Sequence, residues 1–322
     1  MEIRRIQITG GSSFMVTLPK DWAEARGLKK NDPVVVTPQS DGSLLLSPQG
    51  LQVARESTKT ISLDDLETAD SLYRCLIGAY IAGHDQIVLR SEGPILGTFL
   101  EAISEFTQTS MGMEIVEEDE DQIVIKDLID HSEVIPQKNV RREYLLVKRM
   151  IADVLAHTRP KVSDMAARDT EVDRIHWLVQ RQASIHQQDI GLCSRMGLRL
   201  GAVTSCVGVS KILERLGDHA VMVLRNLEHL GESDRSLVET HLESLGPIVL
   251  AYLGDAMGSW LDADYRRAES VIRRKEEVLV MIGRRFAGLS VVSNLGLLLG
   301  SMTRIVEYCS DIAESAINIS ME

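Results

Sequence analysis

From about residue 137 onward the strand patterns of this chain stop. Apolar residues then recur every three or four positions through six long segments: 139–158, 163–188, 195–230, 234–261, 264–286 and 290–319. That period gathers the apolar side chains on one face of a helix, and each such face must be buried against another. Six of them in succession point to an all-α bundle. Turns are marked at Arg159-Pro160 and across Leu230-Gly231-Glu232-Ser233-Asp234. Aromatic residues are only 4% of the chain, so the seams of the bundle must be filled by Leu, Val, Ile, Ala and Met.

The bundle carries an internal echo. SKILERLGDHAV (210–221) matches TRIVEYCSDIAE (303–314), which places Glu214 and Asp218 in the same relation as Glu307 and Asp311, 93 residues on. The second and fifth helices match more loosely, DMAARDTEVDRI (164–175) against ESVIRRKEEVLV (269–280). Two three-helix repeats follow, about 137–230 and 233–320, the first with about a dozen extra residues near ASIHQQDIGLCS. Carboxylates four apart project from one helix face and repel each other. A cation can share their oxygens, and Mg²⁺, Mn²⁺, iron or zinc would suit such a shell. The competing reading is a wet helix face, with Lys211 and Arg215 as counter-charges.

The first 130 residues follow the other period. Residues 58–130 run KTISL, LETADSLYRCLIGAYIAG, DQIVLRS, ILGTFLEAISEFTQ, MEIVEED and QIVIKDL, a β-α-β-α-β-β order that predicts a small α/β domain over 56–132. Residues 1–50 alternate FMVT, PVVVT and LLLSP with turns, Asp41-Gly42 being the strongest hairpin signal, around one short helix between Pro19 and Gly27. A β-rich unit of that size is too small to bury a good core alone. The fold class is therefore multidomain: a small β-rich N-terminal domain, a βαβαββ middle domain and a helical bundle over 137–322.

Net charge is −12, yet residues 1–50 carry +1 and the remainder −13, so any contact with a phosphate backbone is expected in the first fifty residues. Cys75, Cys193, Cys206 and Cys309 form no CxxC pair and read as free thiols of a reducing cytosol. The N-terminus shows no signal-peptide core, and the longest weakly charged runs are too short to span a bilayer, so a cytoplasmic location is expected. There is no HExxH, no GxSxG and no ExxH in either acidic motif. No catalytic residue is assigned, and a regulator rather than an enzyme is expected.

Two resemblances sharpen these expectations. ERLGDHAV resembles the helix signature of the PhoU family of phosphate-uptake regulators, and EYCSDIAE looks like its second copy, with Ile312 in place of the His. That resemblance implies a six-helix PhoU-like domain whose motifs hold multinuclear iron or zinc, here at Glu214, Asp218, Glu307 and Asp311. It also implies a protein partner, a phosphate transporter ATPase or a sensor kinase. GGSSFMVTLPKDWAEARGLKKNDPVVVTPQSDGSLLLSP is similar to the AbrB/SpoVT family, whose units intertwine as swapped-hairpin homodimers and hold DNA through basic residues. Carried over, those residues are Arg4, Arg5, Lys20 and Arg26. Together the resemblances imply a phosphate-responsive transcriptional regulator of phosphate uptake. The alternative is a PhoU-type adaptor that does not bind DNA and whose N-terminal domain only oligomerises it.

Overall fold

A computed structural model describes residues 2–38, 42–48, 57–156, 159–287, 289 and 293–321. The chain divides into two compact units, Met1–Arg55 and Glu56–Glu322.

The N-terminal unit is two hairpins around a short helix. Strands β1 (Gln7–Thr9) and β2 (Ser13–Met15) pair antiparallel, and Gly10 and Gly11 between them take φ of 65° and 82°, a region that glycine enters without steric cost. Helix α1 (Lys20–Ala25) ends before Gly27, also at positive φ. Asn31 adopts a left-handed φ of 75°, and the Asp32 carboxylate accepts a hydrogen bond from the Lys29 amide at 2.7 Å, which fixes the entry to β3. Strands β3 (Val34–Pro38) and β4 (Leu44–Pro48) pair antiparallel from Val34 with Pro48 to Pro38 with Leu44. Gly42 of the expected turn has φ 83°, while Asp41 lies outside the described residues.

The second unit begins with a four-stranded sheet. Strands β5 (Thr58–Ser62), β6 (Gln86–Arg90), β7 (Met113–Glu118) and β8 (Gln122–Asp127) lie in the order β5-β6-β8-β7. β5 and β6 are parallel, joined by helix α2 (Ala69–Ile81), and the other two pairings are antiparallel. Thr68 and Ser71 form a reciprocal capping box at the start of α2. Helix α3 (Gly97–Thr109) packs beside α2, and one core unites Leu72, Leu76 and Tyr80 of α2 with Ile103 and Phe106 of α3 and Ile87, Leu89, Ile123 and Ile125 of the sheet.

Seven helices follow among the described residues: α4 (Pro136–Val154), α5 (Val162–Gln188), α6 (Ile190–Arg195), α7 (Leu200–Glu228), α8 (Glu232–Leu261), α9 (Tyr265–Arg285) and α10 (Ser293–Ser320). Helices α4, α5 and α7 pack on one another, as do α8, α9 and α10, and the two sets meet along α7 and α10. One aliphatic core runs through both, from Val147, Val172 and Leu213 to Val271, Met302 and Ile312. The expected helix over 195–230 starts later, at Leu200, because the chain turns at Gly197, φ 67°, after the short α6, which the sequence reading did not separate. The predicted helix ends at 157–158 and 290–292 lie outside the described residues.

Arg181 of α5 ties the sheet to the helices. Its side chain has no solvent exposure, and it donates to the Asp127 carboxylate, to the Tyr80 carbonyl at 2.6 Å and to the His84 carbonyl at 2.8 Å. Burial pushes Asp127 upward. His131, Arg181 and the Ile129 amide more than offset it and hold the carboxyl below its usual range. With Trp177 packed against the core of the sheet, α5 serves both layers.

Candidate functional site

The N-terminal unit has no interior of its own. Among its described residues none is buried, and Ile3 and Phe14 are 88% and 77% exposed. Ile6, Ile8, Val36 and Leu44 are exposed as well. A segment that forms paired strands while leaving its apolar side chains in water needs a second surface to cover them.

The four basic residues assigned from the sequence lie at distinct places. Arg4 and Arg5 precede β1. Arg4 is ion-paired to Glu2 and donates to the Thr17 hydroxyl at 3.1 Å, whereas Arg5 has no partner among the described residues. Lys20 opens α1, highly exposed and 3.5 Å from Glu24, and Arg26 follows the last turn of that helix. Exposed Lys29 and Lys30 add two cations that the sequence reading passed over, although they are adjacent in the chain.

The helical unit brings together more acids than the sequence predicted. Glu214 and Asp218 share one face of α7, as the four-residue spacing requires, and Asp169 and Asp173 of α5 face them. Gly217 allows the close approach: a Cβ there would lie 2.9 Å from Asp169 Oδ1. Burial and the charges of Asp218, Asp173 and Glu214 push Asp169 up to about 7. Burial, Glu214 and Asp218 push Asp173 up to about 6, and burial and Glu214 raise Asp218. Lys211 holds one oxygen of Glu214 at 2.8 Å, while Glu214 Oε2 is buried without a partner. The missing signal was a second acid pair at i and i+4, Asp169 and Asp173, within the very segment that carries the loose helix match.

Beneath this cluster runs a buried polar chain. Gln180 Nε2 lies 2.7 Å from His176 Nε2, His176 Nδ1 lies 2.9 Å from the Ser210 hydroxyl, and that hydroxyl donates to Glu143 at 2.6 Å. Burial, then Lys211, lowers His176 to about 4, so it is neutral and can donate from Nδ1. Burial raises Glu143 well above the ordinary carboxylate range, and its Oε1 has no partner.

The second motif is built differently. Glu307 pairs with Arg304 at 2.9 Å. Burial and Glu314 raise Asp311, with Lys275 of α9 and Arg215 of α7 opposing. Among the charges that act on Asp311 the one from α9 is Lys275, which opposes the shift, and no acid of that helix takes the place Asp169 and Asp173 take at the first motif. Between the motifs the Arg215 guanidinium lies 5.9 Å from the Tyr308 ring centre, and the His219 and Tyr308 rings are 5.7 Å apart. These residues line an open cleft of about 540 Å³ with Asp169, Asp218, Met222 and Arg225.

Among the described residues no group of three or more His, Cys, Asp or Glu side chains is placed so that it could hold a metal ion. The first motif has the oxygen donors a hard cation takes, but not the placement. It offers carboxylate oxygens from two helices, one buried and unpartnered, in mutual repulsion that a positive ion would relieve. The second motif fits less well, its glutamate being engaged by Arg304.

Residues 7–51 match the family model for MazE, the antidote–toxin recognition domain of bacterial antitoxins. The match falls on the unit assigned from the sequence to the AbrB/SpoVT type, and supports a swapped-hairpin domain there. It does not bear on residues 52–322. No curated protein and no solved structure matches the chain.

Proposed function

We propose that this chain is a non-enzymatic regulator that binds DNA as a homodimer through its N-terminal unit. The observation that carries this reading is the MazE match over a unit without a core. A second copy supplies the missing cover and doubles the exposed cations. Arg5, Lys20 and Arg26, with Lys29 and Lys30, then face the phosphate backbone; Arg4 joins them by exchanging Glu2 for a phosphate oxygen. In this reading the helical unit is the sensor. Asp169, Asp173, Glu214 and Asp218 would hold an iron, zinc, magnesium or manganese ion, which supplies the positive charge that lets four crowded carboxylates ionise together. Glu307 and Asp311 form a weaker second seat. Phosphate status as the signal rests on the PhoU resemblance of ERLGDHAV and EYCSDIAE, as does a transporter ATPase or sensor kinase as partner.

A second reading has its own support: Arg4 is already neutralised by Glu2, and the segment is only weakly basic. The chain would then be an adaptor whose N-terminal unit only oligomerises it. A mobility shift with DNA from upstream of phosphate-transport genes separates the two. The regulator binds at low salt, and Arg4→Ala/Arg5→Ala weakens binding at least severalfold and flattens its salt dependence. A dimer that shows no shift at low salt is the adaptor.

A further inference from the structure

The sheet of the second unit ends in two unlike edges. On one side β7 is interrupted by a register shift between Ile115 and Glu117 and carries Glu114, Glu117 and Glu118. A bulge and a run of charge keep an edge from pairing further. On the other side β5 pairs with β6 in unbroken register, and its Thr58, Lys59 and Thr60 are exposed. In a parallel pair the residues of a strand turn their amide and carbonyl alternately toward the neighbour and away from it. Leu63 donates to the Arg90 carbonyl at 2.7 Å, and the Ser57 carbonyl accepts from the Gln86 amide at 3.2 Å, so the odd-numbered residues face β6. The backbone groups of Thr58, Thr60 and Ser62 therefore point out of the sheet, where β5 has no second neighbour among the described residues.

That edge is complementary to a second copy of itself. Set antiparallel about a two-fold axis at Thr60, two β5 strands oppose Thr60 to Thr60 and Thr58 to Ser62, so every outward amide meets an outward carbonyl. The facing side chains are then threonine against threonine and threonine against serine, pairs that sheets favour. Lys59 stands opposite Ile61 of the second copy, so no like charges meet directly. A tether adds to this. Nine residues separate Pro48, the end of β4, from Thr58, and a chain of that length reaches about 35 Å at most. Once two N-terminal units pair, the β5 strands are confined to a small volume and their union is in effect intramolecular.

We propose that β5 pairs with β5 of a second copy, joining the two four-stranded sheets into one continuous sheet across the dimer axis. This rests on the reading of the N-terminal unit as a homodimer. The middle domain is then a second dimer contact, and the helical bundle is joined to it through Arg181 of α5.

The test joins cysteine crosslinking to hydrogen exchange, both on the full chain. Cys75 is exposed and the other three cysteines are buried, so Cys75→Ser gives a quiet background. Cys75→Ser/Thr60→Cys should form a disulfide-linked dimer on mild oxidation, because the Cα atoms of such a pair lie about 5.5 Å apart, within a disulfide's span. Cys75→Ser/Glu114→Cys, on the opposite edge, should stay uncrosslinked. In the wild type the Thr58 and Ser62 amides should exchange about tenfold or more slowly than in Thr60→Pro. Proline at 60 removes an amide that β6 does not use, so the strand should keep its place in the sheet, and circular dichroism checks this. Sedimentation of the wild type reports the homodimer separately. A wild-type dimer that lacks either the Thr60→Cys crosslink or the slowed exchange overturns the pairing, leaves the N-terminal homodimer standing and leaves the edge open to another protein's strand. Equal crosslinking at both edges marks random collision and overturns it as well. A wild-type monomer removes the homodimer and the β5 pairing together.

Discussion

Asp169 shows how one residue can report on a whole cluster. Burial, and three negative neighbours after it, put its carboxyl at about 7 in the folded chain. An unfolded aspartate titrates near 4. The folded state therefore binds more protons between those values, and stability rises as pH falls through that window. The sign is opposite to that of an ion-paired acid such as Asp127, whose contribution is present at neutral pH and lost as pH falls through its lowered folded value. Asp169→Asn should raise the melting temperature at pH 8 by about 2–4 °C, the shift expected for about 1 kcal/mol after allowance for solvent screening. At pH 5 the gain should vanish. Thermal melts of both proteins from pH 5 to 8 check it, and an unchanged difference across that range would mean that Asp169 does not carry the cluster's repulsion.

Helix α5 is the element on which most depends, since one face builds the acidic cluster and another grips the sheet through Arg181. Arg181→Met would leave Asp127 buried with only His131 and the Ile129 amide as partners, and would remove the guanidinium from the Tyr80 and His84 carbonyls. Breaking a buried pair in this way costs about 3–5 kcal/mol. Denaturant unfolding should show a loss of that size, and Arg181→Met/Asp127→Asn should recover part of it. The elements themselves were largely legible in the sequence, because strand and helix periods differ sharply. KTISL became β5, and the capping pair Thr68 and Ser71 stands where the pattern for α2 begins. The break between α6 and α7 was harder to see. Gly197 could sit inside a helix or end one, and only its positive φ decides. The facing of Asp169 and Asp173 on Glu214 and Asp218 was also hidden, since spacing along one helix fixes a face but says nothing of which helix lies opposite. The role of Arg181 had no local signal at all: its partners lie 54 to 101 residues away.

On the scale of the whole molecule, the two units differ in charge and in whether they have a core. The N-terminal unit exposes its apolar residues, and its first fifty residues carry a net charge of +1 in a chain of net charge −12. The rest is acidic, with cores of its own in the sheet and in the bundle. Coupling between the units requires that a ligand of the bundle favour one geometry of the dimer over another. The most direct test is DNA affinity of the full chain, by fluorescence anisotropy on a labelled duplex, with and without Mn²⁺, for wild type and Glu214→Gln/Asp218→Asn. Mn²⁺ should shift the DNA midpoint of the wild type severalfold and leave the double variant's unmoved. Equal midpoints with and without the cation in the wild type, or the same shift in both proteins, would contradict a sensor seated in the α5–α7 cleft.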